Sequence, residues 1–298
     1  MTPALMRVSE KIFVPVTKLF VGVVLGLAVS SLFAQAQAQS QKEVTLRQAA
    51  GGDVRWILPG PRRLDPEIFG TPDNPLGFEE GIGVPVKERL LNNNKTAFTT
   101  TAGPTPFSDH HARITGAFQA RLRDHTRVDT PASQDSVEGE FSFADPSGSI
   151  QYRVVLKKVL PIGPVYPFFG GVLIDGFHHG KTSFGTRLMP TTYTYGAVWA
   201  VADLYVNGEK VSDNRVAHMM ATEKLRSSDD DGYRILFDSE LPHQGIHTHL
   251  VLPNIVVTPQ GPKLKAVPTG FMLPNGVEQP FLHVMFENVE LEGLPILQ

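Results

Sequence analysis

The sequence predicts an all-β protein, an antiparallel β-sandwich or jelly-roll-like barrel preceded by an irregular N-terminal arm. Two observations carry that prediction: apolar residues recur with a period of two over many short segments, and clusters of turn residues separate those segments. The length of the chain is enough to bury a core without disulfide support.

The first residues have the order of a secretory signal peptide. Arg7, Lys11 and Lys18 precede or flank an uncharged apolar run over residues 19–33, and Ala34, Ala36 and Ala38 supply the small residues of a cleavage site, expected after Ala38. The run is short against the roughly 20 residues of a membrane-spanning helix, so no membrane span is expected after signal cleavage. Cleavage removes those three basic residues and Glu10, taking the net charge from -3 to about -5. That balance argues against nucleic acid as a partner, because the best basic clusters are only the pairs Arg62 with Arg63 and Lys157 with Lys158. The chain has no cysteine, which excludes disulfides and thiolate metal sites and fits secretion into a bacterial periplasm. Any metal must then be held by His, Asp, Glu or Met.

Residues 39–106 form the arm. Pro59, Gly60 and Pro61 are consecutive, Asn92, Asn93 and Asn94 form a run, and such residues break regular elements. Within the arm, residues 42–50 suggest a short helix stopped by Gly51 and Gly52, and residues 86–91 another.

The β domain is expected over residues 107–298. Ile114, Gly116, Phe118, Ala120 and Leu122 alternate with polar partners; Val137, Phe141 and Phe143 do so next; after the turn at Asp145, Pro146, Ser147 and Gly148 come Ile150, Tyr152, Val154 and Leu156. These three strands read as a meander. Residues 195–206 are apolar on both faces, which predicts a central strand, and Asn207 with Gly208 predicts a tight hairpin into a return strand. Residues 215–226 fit either a helix capped by Asp213 or a strand that groups Val216, His218 and Met220; the β surroundings favour the strand. Asp229, Asp230, Asp231 and Gly232 make a turn, and Tyr233, Ile235 and Phe237 mark a short strand. The last strand, over 281–289, puts Leu282, Val284 and Phe286 inward and His283, Met285 and Glu287 on the other face.

All ten histidines lie beyond the expected signal peptide. If residues 246–252 are a strand, His247 and His249 share a face with Val251, while Ile246, Thr248, Leu250 and Leu252 take the other. Two imidazoles about 7 Å apart on one face reach a single cation, provided a third ligand comes from elsewhere. His243 and His283 are the candidates, so the expected metal residues are His247, His249, His243 and His283. Two further pairs, His283 with Met285 and His218 with Met220, also place donors on one face. Imidazole suits copper, zinc and iron, and thioether favours Cu(I); the expected cofactor is therefore copper with Met, or zinc or iron with a carboxylate such as Glu287. The doublets His110 with His111 and His178 with His179 point to opposite sides if extended and rank lower. The loop from Gly176 to Thr182 ends like a phosphate-binding loop, but Asp175 stands where the first Gly is needed; Ser183 lacks a nucleophile elbow because Lys181 replaces its Gly.

The His-x-His strand, with the later Pro274, Asn275, Gly276, His283 and Asn288, resembles the two motifs of the cupin family. That resemblance implies a metal-dependent oxygenase or isomerase. The chain departs from the family pattern at Pro253 and Asn254, where a Glu is expected, and in the wider spacing of Gly276 and His283. Three functions follow: a secreted, periplasmic β-domain protein that binds a transition metal through its histidines, a cupin-like enzyme, or a module that takes a small ligand or a protein partner with the histidines incidental.

Overall fold

A computed structural model of the chain describes residues 41–76, 84–102, 105, 107–126, 130–163, 168–182, 184–227 and 232–298. The expected signal peptide, Ser183 and the turn at 229–231 lie outside the described residues.

Among the described residues eight strands make a barrel, to which shorter strands are added: β1 (Lys42–Ile57), β2 (His111–Asp124), β3 (Ser136–Ala144), β4 (Gln151–Val159), β5 (Thr192–Val206), β6 (Glu209–Thr222), β7 (His247–Leu252) and β8 (Leu282–Phe286). Each pairs antiparallel with the next, and β8 pairs back onto β1, so the sheet closes into a barrel. The all-β antiparallel expectation is met by an up-and-down meander. The jelly roll of cupins is built from Greek keys, so the connectivity here differs from the one that resemblance implies.

An eight-stranded barrel is just wide enough for side chains to fill it. The inward residues are the alternate ones of each strand, among them Val44, Leu46, Val54 and Trp56 of β1, Phe118 and Leu122 of β2, Phe141 and Phe143 of β3, Tyr152 and Val154 of β4, and Phe286 of β8. Phe118 and Phe141 stack with centroids 5.0 Å apart, and Trp56 packs on Tyr152 and Phe271, each at 5.3 Å. The long Pro-containing connection between β7 and β8 closes one end: Trp56 Nε1 donates to Gln279 Oε1 at 3.2 Å and Tyr152 Oη to the Thr269 carbonyl at 2.7 Å. Outward positions of the first strands carry ion pairs instead, such as Arg123 with Glu43 at 2.7 Å and Arg153 with Glu140 at 3.2 Å. On these strands the apolar residues face in and the charged ones out, the inverse of a membrane barrel's polarity. Among the described residues no helix is long and apolar enough to cross a membrane.

Two expectations for the arm are overturned. Residues 42–50 are the first half of β1, not a helix: Val44 and Leu46 face the core while Thr45 and Arg47 pair across to Arg121 and Gln119 of β2. Gly51 and Gly52 interrupt nothing but the register, in a bulge between Gln48 and Gly52 where Gly51 has φ +81. The first strand of the barrel therefore begins at Lys42, within the segment expected to be an irregular arm, and the described residues between Leu58 and His110 carry only short elements. There α1 (Pro66–Phe69) is capped by Asp65, which accepts from Glu67 N at 2.8 Å; residues 86–91 form a single 3-10 turn and a short strand rather than a helix.

The ambiguous stretch after Asp213 is strand, part of β6 as far as Thr222. Asn207 and Gly208 both have positive φ, +50 and +86, the type I′ requirement. The strand expected at Tyr233, Ile235 and Phe237 does not form: Ile235 makes one bridge to Arg226, and a 3-10 turn, Asp238–Glu240, follows.

Candidate functional site

Strand order decides whether the histidine pairs meet. β6, β7 and β8 are neighbours, and their registers align His218 with Val251 and His283, and Met220 with His249 and Met285. Residues opposed across a sheet share a face. All three pairs therefore stand on one outer face of the barrel, while Met219, Leu250 and Val284 between them point into the core. Trp199 of β5, opposite His218, extends the row.

Loops roof this face. Phe107, Phe169, Met189, Leu225 and Leu236 cover it, and His218, His249 and His283 are 5%, 6% and 1% exposed. The doublet His178 with His179, expected to splay, is instead folded into the roof. His179 takes φ +64 and Gly180 φ +53, so the two rings stack at 4.1 Å and 9°. His178 is fully buried, and neither of its ring nitrogens has a hydrogen-bond partner.

Hydrogen bonds fix which lone pairs are available. His218 Nδ1 donates to the Val198 carbonyl at 3.0 Å, which leaves its Nε2 as the acceptor. His179 Nδ1 accepts from Thr186 N at 3.0 Å, so its Nε2 carries the proton and points at Met220 Sδ, 3.2 Å away. His249 Nε2 is buried without a partner. The rings of His218 and His249 lie 5.1 Å apart at 60°, His249 and His283 lie 5.6 Å apart at 89°, and Trp199 stacks on His218 at 4.3 Å. Burial pushes His218 down to about 4; burial, with repulsion from His218, pushes His179 down to about 3. His249 is held well below its ordinary value by burial first and then by the imidazoles around it. At neutral pH these three rings are uncharged.

His218 and His249 both line a cavity of about 30 Å³, together with Phe107, His179, Met189 and Trp199. That holds an ion or a water molecule or two; pockets for organic ligands start near 300 Å³. A larger cleft of about 270 Å³ lies elsewhere, beside Glu67, Lys181 and Arg187, where Lys181 and Glu67 already pair in solvent.

Of the four expected metal residues, His249 and His283 come together and the other two are engaged elsewhere. His247 shares their face, but its Nδ1 faces Glu287 Oε1 at 3.6 Å and its Nε2 accepts from Leu225 N at 3.3 Å. Glu287 is also bonded by the Tyr233 hydroxyl, so it is not free as a zinc ligand; burial would raise its pKa, but His247 and Tyr233 outweigh that and hold it at about 2. His243 sits in a loop at φ +50, largely exposed, with Nδ1 3.0 Å from buried Glu223. Among the described residues no three His, Asp or Glu side chains form a group that could hold a metal ion. What lines the cavity is His218, His249 and His179 with Met189, and the Met220 sulfur lies against His179. The chain matches no protein-family model, no curated protein and no solved structure.

Proposed function

We propose that the protein is a secreted metal-binding β-barrel that holds a transition-metal ion between His218 and His249. The observation that carries this reading is the meeting of two neutral, buried imidazoles at an ion-sized cavity, one oriented by its Nδ1 bond to Val198 and the other with an unpartnered Nε2. Metal-binding histidines commonly donate their second nitrogen to a carbonyl in this way. With metal–nitrogen bonds of about 2 Å, two imidazoles on one tetrahedral ion place their centroids about 5 Å apart, which is the His218–His249 spacing. A buried nitrogen left without a partner costs about 1–3 kcal/mol, and a bound ion removes that cost. The cavity is too small for an organic substrate, so neither a cupin-like enzyme nor a small-ligand module gains support from it. The periplasmic address rests on the sequence pattern of residues 1–38.

The test is metal content by mass spectrometry on the mature protein, purified untagged from metal-replete medium, beside the His218→Leu, His249→Leu double variant. The expected result is close to one ion per wild-type chain and none in the variant. Wild-type protein without metal, or a variant that keeps it, contradicts the proposal.

A further inference from the structure

Resting on that reading, we infer that the ion is Cu(I), a soft monovalent cation, in preference to Zn(II) or Cu(II). Charge and donor type separate the three ions. His218 and His249 bring imidazole nitrogens, and Met189 lines the same cavity, so no anionic side chain is among its walls. Met220, opposite His249 in register, has its sulfur 3.2 Å from His179 Nε2, whose proton it accepts, which leaves Met189 as the thioether at the cavity. No thiolate exists in the chain. The carboxylate on this face, Glu287, is committed to His247 and Tyr233. The titratable groups that surround His249 are all imidazoles: His218, His283, His179 and His247.

An ion in this cavity therefore keeps its full charge against walls that include Phe107, Trp199 and Val251. Desolvation cost grows with the square of the charge, so a dication is penalised about four times as heavily as a monocation. Zinc sites commonly offset that penalty with thiolate or carboxylate ligands, and neither reaches this one. Thioether sulfur in turn selects Cu(I) over harder ions. Softness and charge point the same way.

The experiment titrates the metal-free mature protein anaerobically with Cu(I) buffered by bicinchoninate and, in parallel, with Zn(II) and Cu(II) buffered by chromophoric chelators, following tryptophan fluorescence because Trp199 stacks on His218. Wild type is compared with Met189→Leu, which keeps side-chain volume, and with His249→Leu, each checked for native circular dichroism. Cu(I) is expected to stay with the protein at one equivalent and quench the fluorescence, while Zn(II) and Cu(II) pass to their chelators. Met189→Leu should weaken Cu(I) binding by about tenfold, and His249→Leu should abolish it. Zn(II) or Cu(II) held as tightly as Cu(I), at a site lost in His249→Leu, overturns the Cu(I) inference and leaves the metal reading standing. Unchanged Cu(I) affinity in Met189→Leu overturns thioether ligation. Retention of none of the three ions overturns both.

Discussion

His249 lies diagonally across the β6–β7 pair from His218, with ring centroids 5.1 Å apart, and its Nε2 is buried without a hydrogen-bond partner. A polar atom in that condition works against the fold, so its replacement has an unusual sign. We expect His249→Leu to leave the metal-free protein as stable as wild type or about 1 kcal/mol more stable, while metal binding is lost. Urea unfolding of both proteins in chelator checks this; a large destabilisation would mean that His249 is held by the fold for its own sake.

The Glu287 carboxylate, bonded by Tyr233 and facing His247, is a structural element rather than a ligand. Its folded pKa, about 2, lies below the ordinary 4.5, so its contribution is present above pH 4.5 and disappears as the pH falls toward 2. That contribution is about 3 kcal/mol at most. Glu287→Gln should destabilise the protein at pH 7 and flatten the stability profile below pH 4.5; an unchanged profile would remove Glu287 from the account.

The buried imidazoles act over a different window. His218 and His179 have folded values of about 4 and about 3, below the 6.5 of a free imidazole, so the unfolded chain takes up protons first as the solution is acidified. Stability of the metal-free protein should start to fall below pH 6.5 and continue falling to about pH 3. A flat urea midpoint between pH 7 and pH 5 would contradict neutral burial of these rings.

Gly185 packs tightly against the stacked histidines of the roof. It has φ +75, and a Cβ there would overlap His178 Nε2 and lie 2.7 Å from His179 Nδ1, the atom that accepts from Thr186. Gly185→Ala should cost about 1–3 kcal/mol through backbone strain and displacement of the stacked pair. Thermal unfolding reads this directly, and a variant as stable as wild type would show that the roof tolerates movement.

Much of the barrel was legible because alternation is a local signal. The inward sets at Phe118, Phe141, Val154 and Phe286, and the face shared by His283, Met285 and Glu287, follow from a period of two. The first half of β1 was missed because residues 42–50 suit either element and the glycines after them look like a helix stop; cross-strand pairing with β2 decides in favour of strand. His249 and His283 were legible as candidates, and His218 with Met220 as a pair. Their convergence was not, because it depends on β6, β7 and β8 being neighbours, which pairing between distant segments sets. His178, His179 and Met189 enter the site through positive φ at His179 and through the path of the covering loop, and neither leaves a periodic trace. His243 and His247 look like ligands in sequence, yet Glu223 and Glu287 engage them.

The most direct test of the central claim is nitrogen-15 NMR of the histidine side chains in the purified protein, before and after one equivalent of Cu(I) under anaerobic conditions. The account predicts large shifts at Nε2 of His218 and His249, with the His247 and His243 nitrogens unmoved. Shifts confined to His247 and His243, or no imidazole shift at all, would contradict it.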